Sequence, residues 1–118
     1  MRDGFVLRYP TTPETEHIDG LPAGEGAFLP CTFWLADNHI LRGEVAAGRQ
    51  IFERLLSLRN DVGLLAEEYD PHTGRLVGNY PQALSHIPLV DTALNLASSH
   101  GPTQRRADHH PERDREER

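Results

Sequence analysis

Three carboxylates and a tyrosine stand together near the middle of the chain, at Glu67, Glu68, Tyr69 and Asp70. Two leucines precede them at positions 64–65. A carboxylate beside apolar surface can have its pKa raised, and like charges nearby act in the same direction. Carboxylates grouped on loops also form the acid–base pairs that hydrolyse glycosides. A charged cluster is more often a solvated surface, so the motif taken alone favours that interpretation over a catalytic one.

The carboxylates lie in residues 60–80, which we predict to be one long loop. Turn signals occur within it at positions 70–71 (Asp-Pro) and 73–74 (Thr-Gly). A loop of this length is uncommon in a compact domain and is often functional. The elements on either side of the loop must therefore hold its carboxylates in place.

Three helices are predicted around this loop. Residues 26–42 are apolar on nearly all sides, which is typical of a helix buried on all sides. Residues 44–59 form the clearest amphipathic helix, and residues 81–98 form a third helix with Pro81 at its first position. Pro88 would kink the third helix or remove one of its hydrogen bonds. The apolar face of the third helix is expected to comprise Ala83, Ile87, Val90, Leu94 and Ala97.

Composition narrows the classes of protein that the chain can represent. The net charge of −6 argues against a general nucleic-acid binder, and no apolar run is long enough to cross a bilayer. The spacing of the histidines resembles no zinc site, and we expect neither a metal nor a cofactor. The N-terminus lacks a signal-peptide pattern and Cys31 has no partner for an internal disulfide, so a cytoplasmic protein is expected.

The folded unit is predicted to span residues 1–98. Its first 25 residues are rich in Pro, Gly and Thr and favour extended chain and turns. Residues 99–118 are almost purely polar and charged, and they predict a disordered C-terminal tail.

Three ordered blocks of sequence carry a resemblance to a known family. The first is LRYP at 7–10, continued by GEGAFLPCTFWL at 24–35; the others are RNDVGLLAEEYD at 59–70 and GNYPQALSH at 78–86. Together they resemble the C-terminal part of the catalytic domain of family 15 glycoside hydrolases, the glucoamylases and their bacterial relatives, including some trehalases. The resemblance covers roughly residues 5–97.

The resemblance implies an all-α fold, a partial (α/α)6 barrel. This chain would supply the last three to four helices of the six-hairpin toroid, with a long catalytic loop. A place in the packed inner ring would explain why residues 26–42 are apolar all round. The implied activity is inverting hydrolysis of an α-glucoside or a trehalose-like saccharide.

The resemblance also implies roles within the carboxylate motif. By its position, Glu67 is the general base, which activates water on the face of the sugar opposite a general acid roughly 6.5–9.5 Å away. Glu68 is the adjacent second candidate. Tyr69 either holds the water or the base through its hydroxyl, or packs against the loop.

Four further residues are implied to bind substrate. Arg8 resembles a family arginine whose planar guanidinium binds sugar hydroxyls, with a surface ion pair as the alternative. Glu25 lies between glycines that permit close approach of a sugar ring, with a charge at a helix N-terminus as the alternative. Gln82 and His86 open the last helix and would line the pocket, but for His86 a histidine satisfied within its helix is the favoured interpretation.

The general acid of the family lies upstream of the matched blocks. No carboxylate among residues 1–25 stands in a block that resembles it. We therefore expect a fragment that carries the general-base loop and is inactive alone. The alternative is a small helical protein that binds a partner or self-associates through exposed apolar helix faces.

Overall fold

The fold is mostly helical, with one small sheet, over the residues that the computed structural model describes, 1–8 and 26–97. All three predicted helices are present. Glu25 and the predicted tail at 99–118 lie outside the described residues. In chain order the elements are β1 (Ala27–Phe28), α1 (Leu29–Leu41), α2 (Val45–Ser57), β2 (Glu68–Asp70), β3 (Arg75–Val77) and α3 (Ala83–Ala97).

The helix boundaries follow local chemistry. Pro30 lies in the first turn of α1, where its missing N–H breaks no helical hydrogen bond. Gly43 follows the helix with φ of 82°, a conformation that suits a residue just beyond a helix end. α3 begins at Ala83 instead of Pro81, and it runs through Pro88, which cannot donate a helical hydrogen bond.

The segment predicted as a long loop contains two strands that the all-α prediction omitted. β2 pairs antiparallel with β1 on one side and with β3 on the other, giving a sheet of order β1-β2-β3. Glu68 stands at the centre, paired with Phe28 in β1 and Val77 in β3. Strands of two or three residues are too short to show an alternating apolar pattern, which is why the sequence did not reveal them.

The core forms where α1 packs against α2 and α3. Phe33 in α1 is completely buried, and its ring centroid lies 6.3 Å from that of Phe52 in α2 in an edge-on arrangement. Phe5 from the N-terminal segment and Leu65 from the carboxylate loop join the same cluster. The loop is therefore anchored in the core two residues before Glu67.

α3 buries a different side from the one its sequence predicted. Ile87, Val90 and Leu94, all assigned to the apolar face, are 60%, 53% and 62% exposed. The buried positions of α3 are Ser85, Pro88 and Thr92. We call the exposed set, Leu84, Ile87, Val90 and Leu94, the outer face of α3. None of the helices in the described parts of the chain is long and apolar enough to cross a membrane.

Candidate active site

The backbone of Glu67 is held from two directions. Its carbonyl oxygen accepts a hydrogen bond from the N–H of Leu29, the first residue of α1, at 3.1 Å. Its own N–H donates to the carbonyl oxygen of Asn79 at 2.9 Å. Glu67 thus lies between the start of α1 and the segment that leads into α3.

The two residues before Glu67 are bonded to the start of α3. The Gln82 N–H donates to the Leu65 carbonyl oxygen at 3.1 Å, and the Ser85 hydroxyl donates to the Ala66 carbonyl oxygen at 2.8 Å. The Leu65 N–H donates to Nε2 of His86 at 3.1 Å. Gln82 and the first turn of α3 therefore fix the approach of the chain to Glu67.

The carboxylate of Glu67 is oriented through one of its oxygens. Oε2 accepts hydrogen bonds from the Asn79 backbone N–H at 3.2 Å and from its side-chain Nδ2 at 2.9 Å. Within the described residues, Oε1 accepts none. A half-buried carboxylate with one oxygen held and the other open is suited to take a proton from water.

Asn79 is a site residue that the sequence reasoning did not single out. It supplies a backbone carbonyl, a backbone N–H and a side-chain amide to the same glutamate. The sequence feature that could have identified Asn79 is its position in the GNYPQALSH block, the third of the blocks that carry the family resemblance.

Gly78 gives Glu67 the room that its side chain occupies. A Cβ at Gly78 would lie 3.1 Å from both Cβ and Oε2 of Glu67. Its φ of 82° also falls in the left-handed region that side chains other than glycine rarely adopt. We therefore expect Gly78→Ala to displace the carboxylate of Glu67.

Gly63→Ala is a matched control for that substitution. Gly63 has a similar φ of 79°, but a Cβ there would meet no atom within 4 Å. Both changes should destabilise the fold by about 1–2 kcal/mol through the backbone alone. Only Gly78→Ala should shift the NMR signals of the Glu67 carboxylate and the Asn79 side-chain amide. Equal shifts in the two variants would contradict the predicted contact.

Glu68 is engaged in holding the sheet together. It is buried, and its Oε2 accepts a hydrogen bond from the Gly26 N–H at 3.0 Å. A Cβ at Gly26 would approach the Tyr69 carbonyl oxygen to 2.9 Å, so this close contact requires glycine. The second base candidate therefore lies in a structural contact at the entry to β1.

Tyr69 and Asp70 also make structural contacts. The Tyr69 ring centroid lies 5.3 Å from that of Phe5, which corresponds to the packing alternative for this tyrosine. Asp70 closes the hairpin turn by accepting hydrogen bonds from the Thr73 hydroxyl at 2.8 Å and the His72 N–H at 2.9 Å. The Thr73 hydrogen bond is the main cause that lowers the pKa of Asp70, whereas the sequence suggested raised values. The three carboxylates thus make separate contacts instead of forming one acid–base cluster.

Three of the four predicted substrate-binding residues, Arg8, Gln82 and His86, lie at defined places around the loop. The guanidinium of Arg8 stacks 4.6 Å above the ring of Phe28, the residue that pairs with Glu68 in the sheet. Arg8 is exposed, so it lies at the surface of the same end of the sheet. Gln82 is half-buried, and its backbone N–H and carbonyl oxygen hydrogen-bond to Leu65, Ser85 and His86.

His86 contacts the loop and its own helix through its two ring nitrogens. Nε2 accepts from the Leu65 N–H, and Nδ1 lies 2.6 Å from the Gln82 carbonyl oxygen. This arrangement corresponds to a histidine satisfied by the protein instead of one directed at a sugar. Among the residues that the structure describes, no three or more of His, Cys, Asp and Glu are grouped so as to hold a metal ion.

Comparison with known families places the chain in a class of hydrolases. Residues 1–94 match the family described as Glycosyl hydrolases family 15. Because this match covers most of the chain, the chain belongs to that family. No solved structure matches it.

Curated relatives at moderate identity are trehalases. The trehalase of Mycolicibacterium smegmatis is 43% identical over 94 residues, which are 80% of this chain and 14% of that protein. The trehalase of Thermoplasma acidophilum is 38% identical over 96 residues, 81% of this chain and 16% of that protein. Trehalase 2 of Sulfolobus acidocaldarius is 32% identical over 94 residues, 80% of this chain and 15% of that protein. The chain thus spans only a small fraction of these relatives' length.

Proposed function

We propose that this chain carries the general-base loop of an inverting family 15 glycoside hydrolase that acts on trehalose or a related α-glucoside. The observation that supports the proposal most is the convergence of three sequence blocks on Glu67. Leu29 and Asn79 fix its backbone, and Asn79 also holds one oxygen of its carboxylate. The substrate class rests on the relatives that are named trehalases.

The proposed role of Glu67 is to remove a proton from the attacking water. Asn79 keeps Oε2 in place, so Oε1 is left to receive the proton as water attacks the anomeric carbon. Inversion requires a general acid on the opposite side of the sugar, roughly 6.5–9.5 Å from the base. We place that acid in the part of the family's catalytic domain that the matched residues do not cover. Arg8, exposed beside Phe28, is the proposed donor to sugar hydroxyls.

The proposed architecture is the closing part of an (α/α)6 barrel. The outer face of α3 supports it, because four large apolar side chains stand exposed along one side of a helix. A helix whose apolar stripe faces water is normally covered by another element. The remaining barrel helices are the proposed cover.

A second candidate function rests on the same outer face. The face would serve self-association of this chain without enzymatic activity. Light scattering after size-exclusion chromatography distinguishes the two. A stable oligomer that Val90→Glu converts to monomer would favour self-association, whereas a monomer or an irregular aggregate would favour the barrel segment.

A segment exchange tests the proposed function directly. We define the grafted trehalase as the Mycolicibacterium smegmatis trehalase in which residues 1–94 of this chain replace the segment that they match. We expect the grafted trehalase to release glucose from trehalose and the 118-residue chain alone to release none. A grafted protein that folds but leaves trehalose intact would contradict the proposal. Hydrolysis by the 118-residue chain would contradict its inactivity.

A further inference from the structure

We propose that Ser85 and His86 are positioning residues that set the place of Glu67 by holding the backbone before it. Among the described residues it is Asn79, and neither Ser85 nor His86, that hydrogen-bonds to the carboxylate of Glu67. They act on Leu65 and Ala66, the two residues that lead into it. The inference rests on the proposed function, since it takes Glu67 to be the general base.

The hydrogen-bond partners of His86 indicate which of its two ring nitrogens carries a hydrogen. Nδ1 lies 2.6 Å from the carbonyl oxygen of Gln82, which can only accept, so Nδ1 carries the hydrogen. Nε2 lies 3.1 Å from the backbone nitrogen of Leu65, whose N–H can only donate, so Nε2 carries none. A doubly protonated ring would direct an Nε2–H at the Leu65 N–H. The geometry therefore requires the neutral imidazole with its hydrogen on Nδ1.

Ser85 adds a second anchor one residue along the chain. Its side chain is completely buried, and its hydroxyl donates to the Ala66 carbonyl oxygen at 2.8 Å. The Gln82 N–H donates to the Leu65 carbonyl oxygen, so Leu65 is bonded through both of its backbone groups. Leaving a buried backbone group without its hydrogen-bond partner is destabilising. These contacts therefore hold Leu65 and Ala66 in one backbone conformation.

The hydrogen bonds that Ser85 and His86 make affect catalysis because they hold the residues directly before Glu67 in the chain. Ala66 is the residue directly before Glu67, so a shift of its carbonyl moves the base relative to a bound sugar. A displacement of about 1 Å in a catalytic group can lower the rate about 10²-fold. The first turn of α3 thus acts on the reaction by setting where the carboxylate stands.

The first test is made on the 118-residue chain by NMR. In the wild-type chain, the ¹⁵N signals of His86 should show hydrogen on Nδ1 and none on Nε2. His86→Gln retains an uncharged acceptor for the Leu65 N–H and should leave the Glu67 carboxylate and Asn79 amide signals in place. His86→Leu removes the acceptor and should shift both signals. His72→Gln, at an exposed turn position, is the control that should shift neither.

Two results would overturn the inference. One is a ¹⁵N spectrum of the wild-type chain that shows the hydrogen of His86 on Nε2. This measurement does not depend on whether any variant folds. The other is a His86→Leu chain that unfolds cooperatively yet keeps the wild-type signals of Glu67 and Asn79. Ser85→Ala should shift the same two signals in the same direction as His86→Leu, and wild-type signals in that variant would remove Ser85 from the proposal.

The grafted trehalase separates this inference from the proposed function. His86→Leu should lower kcat about 10²-fold with little change in KM, and His86→Gln should restore most of the rate. An equal loss in both variants would overturn positioning by the acceptor. If Glu67→Gln left the rate unchanged, the proposed function would fail, while the His86 tautomer and the Glu67 shift would still stand in the chain.

Discussion

Replacing Glu67 with glutamine in the grafted trehalase is expected to lower kcat by about 10²–10⁴-fold. An amide cannot take a proton from the attacking water, although it matches the carboxylate in size. Its oxygen can still accept from Nδ2 of Asn79, so the loop should keep its conformation. KM should change little, because the lost interaction develops mainly in the transition state. Initial rates of glucose release from trehalose measure both constants.

Two other glutamates serve as matched comparisons. Glu53→Gln alters an exposed residue of α2 and should leave the rate unchanged. Glu68→Gln keeps an oxygen that can accept from the Gly26 N–H, so most of the rate should remain. If Glu68→Gln abolished hydrolysis while Glu67→Gln did not, the base assignment would have to move to Glu68.

The helices could be predicted because their signals are local. An amphipathic repeat, a proline in a first turn and a glycine beyond a helix end lie within the segment that they describe. The start of α3 shows where local signals fail. Pro81 is typical of a first helical position, yet the next residue, Gln82, donates its N–H to Leu65 and α3 begins only at Ala83.

The different contacts that the neighbouring carboxylates make could not be predicted from their spacing. Glu67 is oriented by Asn79, twelve positions later, and Glu68 bonds to Gly26, 42 positions earlier. Adjacent residues therefore acquire different surroundings from distant parts of the chain. The family resemblance selected Glu67 through its place in a block, but it gave no account of the amide that holds the carboxylate.

The outer face of α3 is a second feature that local sequence could not predict, because it depends on how the helix packs. Helical periodicity identified an apolar stripe but not which element would cover it. In this chain α3 packs against α1 and α2, and the positions that it buries are Ser85, Pro88 and Thr92. That choice brings Ser85 to the carbonyl of Ala66. The small buried residues of α3 therefore help to form the site, although the helical pattern of apolar residues did not include them.

Phe33→Ala is the substitution expected to destabilise the fold most. Its side chain is completely buried between α1 and α2, where it meets the edge of Phe52. Truncating a buried phenylalanine removes its transfer free energy and leaves a cavity, at a cost of about 3–5 kcal/mol. The free energy of unfolding of a small domain is typically about 5–15 kcal/mol, so much of the stability should be lost. Urea unfolding of the 118-residue chain, followed by circular dichroism, measures the change.

Trp34→Ala is the matched control on the same helix. Trp34 follows Phe33 directly and has the larger side chain, but it is 49% exposed. If burial in the core between α1 and α2 determines the cost, the control should lower the free energy of unfolding far less. A loss in Trp34→Ala equal to that in Phe33→Ala would show that the core does not lie where α1 packs against α2. Since Leu65 packs in the same cluster, Phe33→Ala should also release the loop and shift the Glu67 signals below the midpoint of unfolding.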